Sequence, residues 1–418
     1  MTINIWNKGE KGFSNAILIL YSVGVLFSAS YFMWETYPIT VVYIVARLYK
    51  ILVEVVVFFY CCFKRRVIKI DNNRIAMYVY IFIVLSFIHF AGSVKSFYRG
   101  GELLLLIDAF IILFLFNDEE NSYVFRIITY GFSIIVLPSV IYYLITISFG
   151  VELPYYKLLG IHAGKISSGI YYELRPFGLI INAPGGYVAR LCGIYDEPGV
   201  VGTFSALLLS ASMKNTRRFR AVNILLFVEG VLSFSFAFYL LFFISLLLLF
   251  IDKSLIKGIM LILFVGICGV IFFNINFDNQ QINSIKKRFN YSIENGLEIE
   301  NDRYNKEYEA EYNKFIEDGG YELVFGNGYA ASSKSDKLSG GSVYSRLIYD
   351  YGILGTILYI GVFLFVLLGF GINKKNITFI LVFFISIYQR PYVLVRDFFV
   401  IYLCALFYLK RLELKDSA

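Results

Sequence analysis

Long apolar runs follow one another along almost the whole chain, and they restrict its fold more than any other feature. They measure about 17 to 25 residues, which is the length that an α-helix needs to cross a bilayer. Charged residues make up only 17% of the chain, whereas a soluble domain of this size carries about 25%. These observations exclude a soluble fold and predict an all-α polytopic membrane protein.

Twelve membrane spans can be assigned to these runs, and together they form a single integral membrane domain over residues 1–418. The seventh and eighth spans arise from one long apolar run, which we divide around Ser233-Phe234-Ser235. The predicted spans lie near residues 16–34, 38–62, 75–94, 103–116, 122–149, 198–213, 221–235, 236–251, 258–275, 346–370, 377–389 and 397–409.

Lysine and arginine residues cluster in the turns after even-numbered spans, and such clusters mark the cytoplasmic side of a membrane protein. These residues are Lys64, Arg65, Arg66, Lys69, Arg74, Lys214, Arg217, Arg218, Arg220, Lys253, Lys257, Lys374, Lys375, Lys410 and Arg411. Both termini are therefore predicted to be cytoplasmic. The turn after span four, residues 117–120, is acidic and departs from the pattern, but acidic residues contribute little to this rule.

Two long polar loops fall on the outer side under this orientation. Outer loop one covers residues 150–197, after span five, and its basic and acidic residues balance. Outer loop two covers residues 276–345, after span nine, and carries eight basic and twelve acidic residues, a net charge of about −4. These loops favour an enzyme or a carrier that works where the membrane meets water.

The sequence offers few residues that could bind a metal ion or form disulfide bonds. The five cysteines show no paired spacing across an outer loop, and the chain has two histidines, His89 and His162. We therefore expect neither a disulfide framework nor a metal site. The net charge of +7 reflects the basic turns rather than nucleic-acid binding.

Outer loop two contains a helical pattern that begins at Arg303 and extends to Asp318. The aromatic residues of this stretch follow one another at spacings of four, four and three, so they share one face of a helix: Tyr304, Tyr308, Tyr312 and Phe315. One interpretation is that this face packs on the membrane domain and directs Arg303 into a cleft. The commoner alternative is a surface amphipathic helix with a solvated arginine.

Outer loop one contains two arginines, Arg175 and Arg190, and two carboxylates at the mouth of span six, Asp196 and Glu197. Arginine suits phosphate binding because its planar fork offers two parallel donors and stays charged. Converging arginines would therefore favour a phosphate or diphosphate ligand. Either carboxylate is a candidate general base. The alternative is that Arg190 simply forms an ion pair with one of them.

Several ionisable residues fall inside predicted spans, where lipid makes them costly, so each is a functional candidate by default. They are Arg47, Lys50, Glu54, Asp108, Arg126 and Glu229. Structural pairing within the bundle is the favoured account for most of them. Lys50 and Glu54, for example, are four residues apart on one helix and are spaced for an ion pair.

Four short motifs occur in a fixed order along the chain. Arg190 is followed by residues 195–202 at the mouth of span six, and Ser233 and Ser235 divide an apolar run. Asp302-Arg303 precedes a helix and then Gly326-Asn327-Gly328, and residues 344–355 enter span ten. In order, sidedness and span layout, the chain resembles the superfamily of O-antigen polymerases (Wzy-type) and O-antigen ligases, which are bacterial membrane glycosyltransferases.

This resemblance implies a reaction at the outer face of the bacterial cytoplasmic (inner) membrane. Such polymerases transfer a growing glycan from undecaprenyl diphosphate onto the sugar end of a new lipid-linked repeat unit. By position, Arg190 and Arg303 match the arginines that hold the diphosphate, and Arg175 is a third candidate. Fixed cations stabilise the negative charge that develops on the leaving diphosphate, so neither a metal ion nor another cofactor is required.

The predicted site combines the residue patterns with this resemblance. The predicted catalytic residues are Arg190, Arg303, Glu197 and Asp196. The predicted substrate-binding residues are Arg175, Tyr195, Tyr304, Tyr344 and Arg346. The expected partners are undecaprenyl-diphosphate-linked oligosaccharides and membrane lipids, with a chain-length regulator protein as a further candidate and no nucleic acid.

Three alternatives stay open. A ligase of the same superfamily carries a histidine three residues before the aromatic residue that begins the span-ten motif, but here Gly341 precedes Tyr344 and outer loop two has no histidine. A lipid-linked-oligosaccharide flippase or transporter fits twelve spans, although we find no related halves. A non-catalytic scaffold or chain-length protein would not depend on Arg303.

Overall fold

In the computed structural model of this chain, helices occupy nearly all of the apolar runs. The structure describes residues 11–33, 39–64, 71–96, 100–149, 151, 154–159, 171–176, 178–182, 190–195, 197–274, 306–329, 331–332, 343–389 and 396–416.

Helices form the frame of the described chain, and three short segments connect or extend them. The 3-10 turn Tyr31–Met33 follows α1, the π-helical segment Ile111–Leu115 continues α4, and the 3-10 turn Met213–Asn215 links α6 to α7. The helices are α1 (Lys11–Ser28), α2 (Thr40–Lys64), α3 (Asn72–Phe90), α4 (Gly100–Phe110), α5 (Asp118–Phe149), α6 (Pro198–Ser212), α7 (Thr216–Leu232), α8 (Phe236–Lys253), α9 (Leu255–Asn274), α10 (Lys306–Asp318), α11 (Gly320–Phe325), α12 (Val343–Phe370), α13 (Ile377–Gln389) and α14 (Arg396–Asp416).

Each of the twelve predicted spans overlaps one of these helices. Four helical segments are long and apolar enough to cross a membrane: Asn72–Phe90, Asp118–Thr146, Phe236–Lys253 and Tyr344–Phe370. Shorter apolar segments are found in α1, α4 with its π-helical extension, α9 and α13. The structure is thus mostly helical and suited to a membrane, while the crossing of all twelve segments stays a prediction.

Two helices form the centre of the bundle. Nearly every side chain of α6 is buried, and so is the run Phe398–Leu409 of α14. Helix α6 packs against α7 and α8, whereas α14 packs against α5, which in turn contacts α1. In contrast, α9 exposes large apolar side chains such as Met260 and Phe264. Such a surface is stable in lipid rather than in water.

Outer loop one folds into a small antiparallel sheet, which the all-α prediction did not contain. Its strands are β1 (Tyr156–Leu159), β2 (Tyr171–Arg175), β3 (Gly178–Asn182) and β4 (Arg190–Gly193), paired in that order. The sheet is anchored to the bundle where Tyr172 of β2 packs against Tyr31, with ring centroids 6.1 Å apart. The polar loop predicted from the sequence is therefore partly a structured β-element.

Turns that follow even-numbered spans lie together at one face of the bundle. Lys214, after span six, donates a hydrogen bond to the carbonyl oxygen of Lys374, after span ten, at 3.2 Å. The same amine lies 3.7 Å from the carboxylate of Asp252, at the end of α8. The structure therefore groups the turns as their basic residues do, and we name this surface the basic face. Its orientation towards the cytoplasm stays a prediction.

The acidic turn after span four, which departed from the charge pattern, also lies at the basic face. Asp118 forms an ion pair with Arg74 at 2.5 Å, and Glu119 forms one with Arg411 at 2.8 Å. Acidic residues in this turn thus compensate basic residues of neighbouring turns. The departure has a structural explanation and does not require a different arrangement of spans.

Turns that follow odd-numbered spans contact the two outer loops instead. Ser30, after α1, forms an isolated β-bridge with Tyr195 at the end of outer loop one. Ser93, after α3, donates its backbone N–H to the carbonyl oxygen of Gly326 in outer loop two at 3.0 Å. These contacts place both loops with the odd-numbered turns, and we name this surface the loop face.

Candidate functional site

Arg190 lies at the start of β4, and its side chain holds a break between two helices. Its Nε donates to the carbonyl oxygen of Ser233 at 3.2 Å, and its Nη2 donates to that of Phe234 at 2.9 Å. These residues separate α7 from α8, and Phe234 has a φ of 46°. Two of the motifs singled out in the sequence, the arginine of outer loop one and the serines of the divided run, therefore meet in the structure.

The break itself has a local cause in the sequence. The hydroxyl of Ser233 donates to the carbonyl oxygen of Gly230 at 2.6 Å, an alternative to the helical backbone pattern. Helix α6 approaches the break closely through Gly202, where an added Cβ would lie 2.5 Å from the Cβ of Ser235. A larger residue at position 202 would push α6 away from the break that Arg190 contacts.

Arg175 occupies the end of β2 and is held by neighbours on two elements. Its Nε donates to Glu173 at 2.8 Å, and its Nη1 donates to the hydroxyl of Tyr142 in α5 at 2.8 Å. Burial alone lowers the pKa of Arg175, but the contacts with Tyr142 and Glu173 outweigh it and raise the pKa overall. This arginine stays charged, and an anionic ligand would compete with Glu173 for it.

The two arginines of outer loop one approach the same turn of α5. Arg175 contacts Tyr142, and Arg190 lies within coulombic range of the next residue, Tyr143. Arg190 also lies within coulombic range of Tyr239, on the first turns of α8. Both arginines therefore lie near the outer end of α5, and Arg190 also lies near the start of α8.

Tyr195, predicted to bind substrate, is fully buried beneath the sheet. Its ring stacks on Phe132, with centroids 5.6 Å apart, and meets Phe204 edge to face. Burial raises its pKa well above the ordinary value, and the nearby carboxylates of Asp397 and Glu229 raise it further. Its hydroxyl has no hydrogen-bond partner among the described residues. Tyr195 therefore packs inside the bundle in this structure, and its predicted contact with a substrate stays a prediction.

Two described carboxylates lie near the helix break. Glu197 is half-buried at the N-terminal end of α6, where the helix dipole favours negative charge. Glu229 is completely buried one turn before Ser233, whose backbone N–H donates to the carbonyl oxygen of Glu229 at 3.0 Å. Asp196, the other predicted general base, lies outside the described residues. Glu229 is thus a second candidate base from within the bundle.

Outer loop two forms a separate assembly on the loop face, in which its glycine motif meets the start of α12. The backbone N–H groups of Asn327 and Gly328 donate to the carbonyl oxygens of Tyr349 and Asp350, at 3.0 Å and 2.8 Å. The third and fourth sequence motifs are therefore in direct contact, as the first and second are.

Gly352 makes this contact possible. It interrupts α12 with a φ of 70°, in the region that favours glycine. An added Cβ at position 352 would run into the carbonyl oxygen of Val324 and the backbone nitrogen of Gly326. The kink therefore allows the end of α11 to pack directly on the backbone of α12.

Arg346, a predicted substrate-binding residue, is linked to this assembly through Ser332. Its Nε donates to the Ser332 hydroxyl at 3.4 Å, and that hydroxyl donates to Asp350 at 3.0 Å. The Ser332 backbone N–H also donates to Asp350, at 2.6 Å. Arg346 and Tyr344 are both half-buried at the start of α12.

The described part of the aromatic face of α10 packs on α12, in line with one interpretation of the sequence. The ring of Phe315 lies 4.9 Å from that of Tyr349, and Tyr312 packs beside Phe315. The described helix begins at Lys306 and ends at the predicted Asp318. Arg303 and Tyr304 lie outside the described residues, so the direction of Arg303 stays a prediction.

A buried cluster of charges inside the bundle contains one residue that the sequence analysis missed. Arg396, at the start of α14, places its Nη2 2.5 Å from Glu54 and its Nε 2.5 Å from Asp108. The hydroxyl of Tyr21 donates to Asp108 at 2.7 Å. Glu54 thus pairs with an arginine of a distant helix, and the side chain of Lys50, its predicted partner, lies outside the described residues.

The missed arginine had a detectable signal in the sequence. Span twelve was predicted to begin at residue 397, so Arg396 was counted as part of the preceding turn. An ionisable residue at the edge of an apolar run can still be drawn into a bundle, particularly when Asp108 and Glu54 on other spans require a partner.

Comparisons with known proteins do not assign this arrangement. No family model matches the chain, and neither a curated protein nor a solved structure matches it. Among the described residues, no group of three or more histidine, cysteine, aspartate or glutamate side chains is arranged to hold a metal ion. A function for this chain must therefore be inferred from the arginines, carboxylates and helix break themselves.

Proposed function

We propose that this chain is a bacterial membrane glycosyltransferase of the O-antigen polymerase type, which joins lipid-diphosphate-linked repeat units into a surface polysaccharide. The observation that carries the proposal is the contact of Arg190 with the break at Ser233 and Phe234. This contact unites two of the motifs on which the resemblance depends, and it fixes a guanidinium at the loop face. These two bonds fix the position and the orientation of the side chain.

The proposed reaction requires such a cation. A hydroxyl oxygen of the acceptor sugar attacks the anomeric carbon of the donor glycan, and the bond from that carbon to the diphosphate oxygen breaks. The electron pair leaves with the diphosphate, and the hydroxyl proton passes to a carboxylate. Preorganised donors near the departing oxygens stabilise the transition state more than the ground state. We assign this role to Arg190 and Arg303, with Arg175 as a third contact once it exchanges Glu173 for the ligand.

The proton acceptor is assigned to a carboxylate. Asp196 stays a candidate from the sequence, and two further candidates lie among the described residues. Glu197 lies at the mouth of α6, where an acceptor sugar would enter from the loop face. Glu229 is buried near Tyr195 and Ser133, within the bundle. Separate substitutions, Glu197→Gln and Glu229→Gln, distinguish the two because only one of them should reduce polymerisation strongly.

Two alternatives each have an observation in their favour. The buried cluster of Glu54, Asp108 and Arg396 is typical of carriers, which keep charges inside the bundle. For a ligase, His89 of α3 stacks on Tyr329, with ring centroids 4.5 Å apart, and brings a histidine to outer loop two from another part of the chain. The contact between Arg190 and the helix break favours a glycosyltransferase of this superfamily over a carrier. The lack of a histidine in the sequence of outer loop two favours the polymerase over the ligase.

The test uses purified protein in proteoliposomes with lipid-linked repeat units facing outwards. The wild type should lengthen glycans, which gel electrophoresis of the products resolves as a ladder. Arg190→Ala and Arg303→Ala should each reduce the initial rate by about 10²–10³-fold, the effect of removing one transition-state donor. Lys157→Ala, which removes an exposed cation from β1 of the same loop, should keep the wild-type rate.

The outcomes separate the alternatives. Redistribution of lipid-linked units across the bilayer without any ladder would favour the carrier. Transfer of a finished glycan onto lipid A, without elongation of the glycan, would favour the ligase. Full polymerisation by both arginine variants would overturn the assignment of a diphosphate site to this loop face.

A further inference from the structure

A cavity of about 220 Å³ opens at the basic face, on the opposite side of the bundle from Arg190. Three elements form its walls: the first turns of α5, the connection from α6 to α7, and the last turns of α14. Its described lining residues are Glu119, Ser122, Arg126, Asn215, Arg218, Tyr408, Arg411, Leu412 and Lys415. It does not belong to the site proposed for glycan transfer.

The charges of this cavity are unbalanced. Its described lining contains four cations and one carboxylate, and that carboxylate, Glu119, is already paired with Arg411 at 2.8 Å. In the part of the chain that the structure describes, neither Arg126 nor Arg218 has a carboxylate within 4.0 Å. Three positive charges are therefore concentrated there without a compensating acidic group.

These cations are held close to one another rather than dispersed. Arg218 and Arg411 both lie within coulombic range of Arg126 and repel its charge. Arg126 is only half-exposed and is fixed by its neighbours, since its guanidinium lies 4.8 Å above the ring of Tyr123. Like charges in a partly buried position are destabilising unless an anion joins them. The arrangement therefore favours the binding of an external anion.

We propose that this cavity binds a phosphate group. Arginine forks suit the tetrahedral oxygens of phosphate, and Ser122, Asn215 and Tyr408 add uncharged hydrogen-bonding groups to the lining. Two sources supply this chemistry: the headgroup of an anionic membrane lipid and a phosphate dissolved in water. Basic pockets between membrane helices commonly bind lipid headgroups, and this cavity opens at the ends of α5, α7 and α14.

The substitution that tests the site is Arg218→Gln, because this side chain is exposed and its removal leaves the packing of the bundle intact. The backbone carbonyl oxygen of Arg218 accepts a hydrogen bond from the hydroxyl of Tyr130, and the substitution preserves this bond. Arg220→Gln is the matched control. Arg220 lies two residues further along α7, is equally exposed, and does not line the cavity.

A phospholipid and inorganic phosphate serve as probes that distinguish the two sources of the phosphate group. Full-length protein in neutral detergent is titrated with phosphatidylglycerol or phosphatidylcholine and followed by native mass spectrometry. In parallel, its melting is followed in sodium phosphate and in sodium chloride of equal ionic strength. Arg218→Gln should weaken binding of the phosphate probe about fivefold, the contribution of one basic residue near a membrane surface. Arg220→Gln should bind like the wild type.

Each result decides the proposal. Retention of phosphatidylglycerol over phosphatidylcholine, lost in Arg218→Gln alone, would support a lipid headgroup. Stabilisation by inorganic phosphate with the same dependence on Arg218 would support a soluble phosphate. If neither probe binds the wild type, or if both variants weaken binding equally, the cavity is not a phosphate site and the positive charge acts only as part of a basic surface.

Discussion

The regions around Arg190 and Arg396 use the same side chain in opposite ways. The bonds described for Arg190 go to two backbone carbonyl oxygens, which accept hydrogen bonds but carry no net charge. Arg396 instead contacts two buried carboxylates, Glu54 and Asp108, so its single positive charge is opposed by two acidic groups. The same side chain therefore supports a break between two helices in one region and neutralises buried acids in the other.

The two arginines should also differ in what their substitution affects, which is stability for Arg396 and activity for Arg190. Arg396 connects α14 with α2 and α4 from a position with 4% exposure, where water cannot replace a lost partner. Arg190 is half-exposed at the loop face, and the carbonyl oxygens that it contacts carry no net charge. We therefore expect substitutions of Arg396 to unfold the protein and substitutions of Arg190 to inactivate it.

Removal of the Arg396 guanidinium should have the largest effect on stability. In Arg396→Ala, Glu54 and Asp108 would remain buried without their cation, and breaking a buried pair in this way costs about 3–5 kcal/mol. Arg190→Ala removes two hydrogen bonds to uncharged carbonyl oxygens and should cost about 1–2 kcal/mol. Thermal melting of both variants in the same detergent measures the difference. Equal melting temperatures would show that the two arginines have similar structural roles.

The substitution Arg190→Lys sharpens the comparison at the loop face. Lysine keeps the charge but has a single nitrogen, so it cannot contact Ser233 and Phe234 while also presenting a fork to a diphosphate. We expect the polymerisation rate to fall at least about tenfold, with a melting temperature close to that of the wild type. A variant with full activity would show that charge alone suffices at this position.

The two carboxylates around Arg396 should differ in importance, and this is the smallest expected effect. Glu54→Gln removes the surplus negative charge and leaves the neutral pair of Arg396 and Asp108, so stability should change by less than about 1 kcal/mol. Asp108→Asn should cost more, because Asp108 accepts hydrogen bonds from both Arg396 and Tyr21. Thermal melting of the two variants gives the comparison, and a larger loss for Glu54→Gln would contradict this ranking.

The helical frame could be predicted because its signal is local. Each apolar run is long enough to define one helix, and the twelve predicted spans therefore overlap twelve helices of the structure. The basic turns likewise predicted which turns lie together, as the contact of Lys214 with Lys374 illustrates. The sheet of outer loop one was missed because strand pairing depends on partners elsewhere in the loop, such as Tyr171 of β2 with Asn182 of β3.

The candidate site was predictable only in part, because contacts between residues far apart in the chain leave no local signal in the sequence. The sequence identified Arg190 and the serine-flanked break separately, but their contact joins residues 43 and 44 positions apart and depends on the fold. The partner of Asp108 was still harder to predict, since Arg396 lies 288 residues away along the chain. Side-chain pairing across such distances is determined by packing, which a single sequence does not encode in any local pattern.

The backbone of Phe234 has a consequence for how the two faces of the molecule communicate. Among the described residues it is the only non-glycine with a positive φ, a conformation that costs a bulky residue about 1–3 kcal/mol. The hydrogen bond from Arg190 to its carbonyl oxygen helps to offset that cost. A ligand that draws the guanidinium away would release the strained residue and allow α8 to shift. Asp252 at the far end of α8 pairs with Lys214, so this helix connects the strained residue at the loop face with the basic face.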